Sequence, residues 1–143
     1  MFTMASDLLA NWTVLVVDDE PDSILVAGTL LEECGADVYA ANNGKVGFGL
    51  ALQHRPKFII SDLSMPEMSG WQMLHELKKT LATRDIPVIA LTAHAMEGDR
   101  QRAMSVGFHN YLTKPLMPET FINNLLRLLI DLPEVADKAD KRR

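Results

Sequence analysis

The sequence predicts a doubly wound α/β domain, a parallel sheet with helices on both faces. Five short apolar runs alternate with five segments of helical periodicity across short connections, the arrangement that parallel strands with right-handed crossovers demand. The run Phe58, Ile59, Ile60 is apolar at consecutive positions, as in a strand covered on both sides. A length of 143 residues suits one domain with one layered core.

The first strand is Val14–Val17, followed by DEPDS, in which Pro21 ends strand geometry and the acidic and hydroxyl residues suit a helix start. Helix one carries Ile24, Ala27, Leu31 and Cys34 at spacings of three and four, and Gly35 is a natural stop. ADVYAA is the second strand and NNG a turn signal. KVGFGLALQHRP reads as helix two, the least stable, because Gly47 and Gly49 each cost up to about 1 kcal/mol relative to Ala. Strand three, Lys57–Ser61, ends against Asp62. After SMPEMSG, Trp71, Leu74, Leu77 or Lys78, and Leu81 mark helix three, and Ile86–Thr92 is strand four. Helix four, Met96–Val106, is mostly polar and offers only Met96, Ala103, Met104 and Val106 for packing. FHNYLTKP supplies strand five. Pro118 opens helix five, whose Phe121, Ile122, Leu125, Leu126, Leu128 and Leu129 form a wider stripe than one buried face requires. Part of that stripe is a candidate docking surface.

A net charge of −5 argues against a nucleic-acid surface, which needs clustered Lys and Arg. The basic run Lys138–Arg143 reads as a solvated terminus. The one cysteine, Cys34, reads as a small core hydrophobe and fits a reducing cytoplasm. No charged leader or bilayer-length apolar run is present, so a soluble, unexported protein with no membrane association is expected.

In doubly wound sheets the site lies beyond the carboxyl ends of the strands. Asp18 and Asp19 follow strand one, Asp62 strand three, Thr92 strand four and Lys114 strand five. Carboxylates gathered in one cleft force protonation unless a cation neutralises them, and an all-oxygen set suits Mg²⁺. Mg²⁺, an ammonium and a hydroxyl can each take one equatorial oxygen of a migrating phosphoryl group. Asp62, alone at the sheet centre, is the candidate nucleophile, while Asp18 and Asp19 share a turn suited to metal binding.

The set VVDDEP, SDLSMPEMSG, ALTA and YLTKP, on these strands in this order, resembles the receiver domain of two-component response regulators over roughly Val14–Leu129. The resemblance implies a flavodoxin-like, five-stranded sheet of order 2-1-3-4-5. It divides the chain into an N-terminal extension (1–12), a receiver domain (13–131) and a polar C-terminal tail (132–143). It implies that Asp62 accepts a phosphoryl group from the phosphohistidine of a histidine kinase or phosphotransfer protein, small phosphodonors substituting. Mg²⁺, for which Mn²⁺ can substitute, would be held directly by Asp19, Asp62 and the backbone carbonyl of Ser64, and through water by Asp18. Lys114 would pair with the phosphoryl group, Thr92 would hydrogen-bond to it, and Tyr111 would swing inward with Thr92 as the switch. A static core aromatic is the alternative for Tyr111. Receivers typically hold the bond corresponding to Lys114–Pro115 cis.

Ser64 and His94, each two residues beyond a site residue, stand where receivers tune phosphoryl lifetime; simple solvent exposure is the alternative. The four histidines, His54, His75, His94 and His109, share no metal-like spacing. Gly44, Gly47 and Gly49 match neither G-x-G-x-x-G nor a Walker sequence. The expected function is a stand-alone phosphorylatable switch that catalyses its own phosphorylation and dephosphorylation. Output would pass to a downstream protein target through the surface of helix four, strand five and helix five, with a homodimer left open. A phosphorylation-independent pseudo-receiver is the second reading, and an aspartate-nucleophile phosphatase the third, disfavoured because Ser64 replaces the second acid.

Overall fold

The computed structural model describes residues 8–93 and 97–129. Its elements are β1 (Thr13–Val17), α1 (Pro21–Glu33), β2 (Asp37–Ala41), α2 (Gly44–His54), β3 (Phe58–Asp62), α3 (Gly70–Lys79), β4 (Val88–Thr92), α4 (Glu97–Val106), β5 (Asn110–Thr113) and α5 (Phe121–Leu128). All strand pairs are parallel, in the order β2-β1-β3-β4-β5.

Strand alternation sorts the apolar residues into two cores. Val14, Val16, Phe58, Ile60, Ile89 and Leu91 join Ala27 and Leu31 of α1 and Phe121, Leu125 and Leu126 of α5. Leu15, Val17, Ile59, Val88 and Ala90 face the other way, with Ala51 of α2, Met73, Leu74 and Leu77 of α3, and Ala103 of α4. Each fully buried large side chain contributes about 1.5–3 kcal/mol, so burial on both faces fixes the register and with it the positions of the strand ends.

Local signals start and stop the helices. Pro21 opens α1, which ends at Cys34 before Gly35, at φ 94°. The NNG signal is a helix cap as much as a turn: the Asn43 side chain accepts the Val46 N–H at 2.9 Å. Ser69 and Gln72 form a reciprocal capping box at α3.

Several expectations are corrected. Leu81 lies beyond α3 and is 75% exposed, because the helix has already closed at Lys79. Met104 and Val106 are exposed, leaving Ala103 as the buried residue among the described side chains of α4; Met96 lies outside the described residues. Helix α5 starts at Phe121, since the Met117 carbonyl accepts the N–H groups of both Thr120 and Phe121 in a preceding turn. The wide α5 stripe is consumed by the core: Phe121, Leu125, Leu126 and Leu129 are buried, and Ile122 and Leu128 pack against them. Leu8, Leu9 and Trp12, in the segment read as an extension, belong to the same core. There the Leu9 N–H donates to the Cys34 carbonyl at 2.7 Å, and Trp12 meets Phe58 edge-on at 6.2 Å. Cys34 is buried, as a core hydrophobe should be. Among the described residues no helix is long and apolar enough to cross a membrane.

Candidate functional site

The central strand β3 ends at Asp62, which stands in register with Leu91 of β4. One neighbour, β1, delivers Asp18 immediately after Val17, where the Asp18 N–H donates to the Ala41 carbonyl of β2 at 3.0 Å. From beyond β5, Lys114 is anchored by its N–H on the Thr92 carbonyl at 2.8 Å, and its bond to Pro115 is cis. Parallel strands of matched length therefore bring residues distant in sequence to one edge.

Asp18 is wholly buried. Its Oδ1 accepts the Glu20 N–H at 2.9 Å and a proton of Lys114 Nζ at 3.2 Å. Its Oδ2 lies 3.0 Å from Lys114 Nζ but meets no donor at a hydrogen-bonding angle. Asp62 Oδ1 accepts the Leu63 N–H at 2.7 Å and, more weakly, the Ser64 N–H at 3.4 Å, while Oδ2 faces Lys114 Nζ at 3.3 Å. The Lys114 ammonium also hydrogen-bonds the Glu20 carboxylate. One cation thus sits among three carboxylates, whose oxygens lie within 4.8 Å of one another.

The electrostatics follow from this imbalance. Burial, then the neighbouring charge of Asp18, pushes the Asp62 carboxyl up to about 6, against the pull of Lys114 and the Ser64 N–H. Burial works to lower Lys114, but hydrogen bonds to Glu20 and Asp18 and the charges of Asp18 and Asp62 outweigh it and hold the ammonium above its ordinary value.

Two glycines let the loop after Asp62 close on the site. A Cβ at Gly70 would lie 2.0 Å from the Asp62 carbonyl oxygen, and the Gly70 N–H donates to the Leu63 carbonyl at 3.0 Å. At Gly44 a Cβ would lie 2.5 Å from the Met68 carbonyl oxygen, which the Gly44 N–H reaches at 2.8 Å. The loop is thereby pinned to the start of α2 as well as to α3.

The structure brings together Asp18, Asp62 and Lys114 of the residues expected from sequence, and it adds Glu20. That residue was missed because Glu-Pro reads as helix-start chemistry, although a third consecutive acid after a strand was a visible signal. Asp19 is exposed and stands outside the three-carboxylate group. With Asp18 buried, its neighbour turns outward. Thr92 is buried at the end of β4, opposite Thr113, and Tyr111 is half-buried against the same core as Ala90, its register partner. Ser64 is exposed, and His94 lies outside the described residues. A hard divalent cation fits this donor set: it would offset the surplus negative charge and give the buried Asp18 Oδ2 a partner. Beside the site opens a cleft of about 480 Å³ lined by Glu20, Ser23, Val26, Ala93, Lys114 and Leu116.

Residues 14–126 match the response regulator receiver domain. The chain is 35% identical over 119 residues to the polar-differentiation response regulator DivK of Brucella anthropi, across 83% of this chain and 97% of that protein. Among solved structures, the chemotaxis protein CheY4 of Vibrio cholerae superposes with a TM-score of 0.77 at 30% identity, covering 84% of this chain and 100% of that one. The receiver domain of the sensor histidine kinase PA1611 from Pseudomonas aeruginosa has a magnesium ion coordinated in its active-site cleft. It gives a TM-score of 0.74 at 29% identity, over 84% of this chain and 98% of that one.

Proposed function

The chain belongs to the receiver-domain family of response regulators, and from that premise we propose that it is a Mg²⁺-dependent phosphoryl-accepting switch with Asp62 as the acceptor. The observation that carries this reading is the placement of Asp62 Oδ2 3.3 Å from Lys114 Nζ, inside a carboxylate group suited to a divalent ion. A carboxylate oxygen of Asp62 attacks phosphorus in line. The new acyl phosphate bond forms as the bond from phosphorus to the donor histidine nitrogen breaks. Lys114 pairs with one equatorial oxygen and the Thr92 hydroxyl donates to another, which stabilises charge where it develops. When bound, Mg²⁺ supplies further charge neutralisation on the transferring group. Its proposed direct ligands are Asp19, Asp62 and the Ser64 carbonyl, with Asp18 through water and Mn²⁺ as a substitute. This requires the exposed Asp19 side chain to turn inward, so Asp19→Asn should weaken Mg²⁺ binding.

Modification adds charge and acceptors that Thr92 and Lys114 engage, shifting a two-state equilibrium rather than creating a new fold. Tyr111, half-buried on the same side of the sheet as Thr92, carries that shift to the surface of α4, β5 and α5, where a downstream protein reads it. The cleft between α1 and Lys114–Leu116 is where the phosphodonor kinase or phosphotransfer protein approaches. Ser64 and His94 set how long the modification lasts.

Incubation with a small phosphodonor and Mg²⁺, followed by mass spectrometry, tests this reading. It predicts a stoichiometric, acid-stable, base-labile adduct on Asp62, absent from Asp62→Asn. Sustained release of many phosphates would identify a phosphatase instead. No adduct with either a small donor or a kinase would leave a phosphorylation-independent adaptor.

A further inference from the structure

Resting on the reading above, we propose that Glu20 is a displaceable latch on Lys114: it occupies the ammonium in the unmodified protein and releases it when the site takes an anionic phosphoryl oxygen. A lysine ammonium has three protons to donate. Here three carboxylates engage it, those of Glu20, Asp18 and Asp62. An incoming phosphoryl oxygen must therefore replace one of them, and the three do not give way at equal cost. Asp18 is 0% exposed, and its Oδ2 has no hydrogen-bond donor, so losing the ammonium would strand a buried charge. The Asp62 side chain is 11% exposed and carries the phosphoryl group once modified, so its own share of the ammonium passes to that group. A further phosphoryl oxygen gains Lys114 only where another carboxylate gives way. The Glu20 side chain is 61% exposed, and water can hydrate it at once. Glu20 is the partner that yields.

The latch also has a fixed hinge. The Glu20 N–H is tied to Asp18 Oδ1 at 2.9 Å, so the carboxylate reaches Lys114 from an anchored backbone and needs the full glutamate side chain to do so. Its occupancy of Lys114 opposes anion binding until it is displaced. Removing it should tighten the hold on a phosphoryl mimic without touching the acceptor, the hydroxyl or the lysine.

Beryllium fluoride at saturating Mg²⁺ is the probe, with affinity read by titration calorimetry or fluorine NMR on the purified full chain carrying Glu20→Gln or Glu20→Asp. Glu20 belongs to the carboxylate group suited to a divalent ion, so Mg²⁺ is raised until each variant is saturated, which removes any contribution from weaker cation binding. Exposure of the Glu20 side chain makes both variants compatible with folding. Both should bind the mimic about threefold to fivefold more tightly than the parent protein. Glu20→Asp keeps the charge but is one methylene short of Lys114, and that separates a latch from simple repulsion. Tightening in Glu20→Gln alone would overturn the proposal in favour of a charge effect, and unchanged affinity in both would overturn it outright. Failure of the parent protein to bind the mimic would instead overturn the acceptor reading on which the latch depends.

Discussion

At the scale of single residues, the site is set by an ammonium outnumbered by carboxylates, and this makes stability pH-dependent in a specific direction. Asp62 moves from 3.8 to about 6 on folding, so the native state binds this proton more tightly than the unfolded chain. Its contribution is therefore most favourable at low pH, declines between those two values, and remains a cost of on the order of 3 kcal/mol above them. Asp62→Asn should accordingly be more stable than the parent protein by about 2–3 kcal/mol near neutral pH in chelator, and equal to it near pH 4, as measured by urea unfolding. A parent curve that instead gains stability from acid to neutral pH, with Asp62→Asn parallel to it, would contradict this sign. Lys114→Ala acts oppositely. It leaves the buried Asp18 facing Asp62 without a cation, at a cost of about 3–5 kcal/mol. Added Mg²⁺ should recover much of that loss, and a variant whose unfolding midpoint ignores Mg²⁺ would argue against a divalent site.

At the scale of elements, glycines that look alike in sequence do different work. Gly49 has nothing within 4 Å of its added Cβ, so Gly49→Ala should stabilise α2 by up to about 1 kcal/mol. At Gly70 the added Cβ would collide with backbone at 2.0 Å, and backbone cannot swing aside as a side chain can. Gly70→Ala should cost about 2–3 kcal/mol and lower Mg²⁺ affinity as the loop after Asp62 is displaced. Urea unfolding and metal titration on the two variants check the contrast. Much at this scale was legible: ten elements in the right order, the stop at Gly35 and the buried β3. Boundaries were less so, because periodicity does not register where a helix closes. Leu81 continues the α3 stripe in sequence, yet the chain has left the helix before reaching it. Glu20 was in view as a third acid after the strand, but its partner was not. Its role comes from a contact with Lys114, 94 positions away, and no local pattern encodes that pairing.

At the scale of the whole molecule, the doubly wound topology follows from alternation, whereas the edge of the domain did not. The resemblance reads residues 1–12 as an extension, but the burial of Leu8, Leu9 and Trp12 within it is decided by the surface those three residues cover. Leu125, Leu126 and Leu129 near the end of α5 and Leu31 and Cys34 at the end of α1 share one core with the sheet, and Leu8, Leu9 and Trp12 join it. All three are part of the packed core. Leu9 is 1% exposed, so Leu9→Ala should destabilise the domain by about 2–5 kcal/mol. A chemical reporter lies beside it: the Leu9 N–H bonds the Cys34 carbonyl, and Cys34 is 2% exposed. Labelling of that thiol by a disulfide reagent requires opening, so its rate follows the population of opened molecules. Leu9→Ala should therefore accelerate labelling by about two orders of magnitude, corresponding to about 3 kcal/mol, while the exposed-face control Leu25→Ala, at a residue 66% exposed, should leave the rate unchanged. Equal labelling of parent and Leu9→Ala would argue that Leu9 does not help to hold the domain closed.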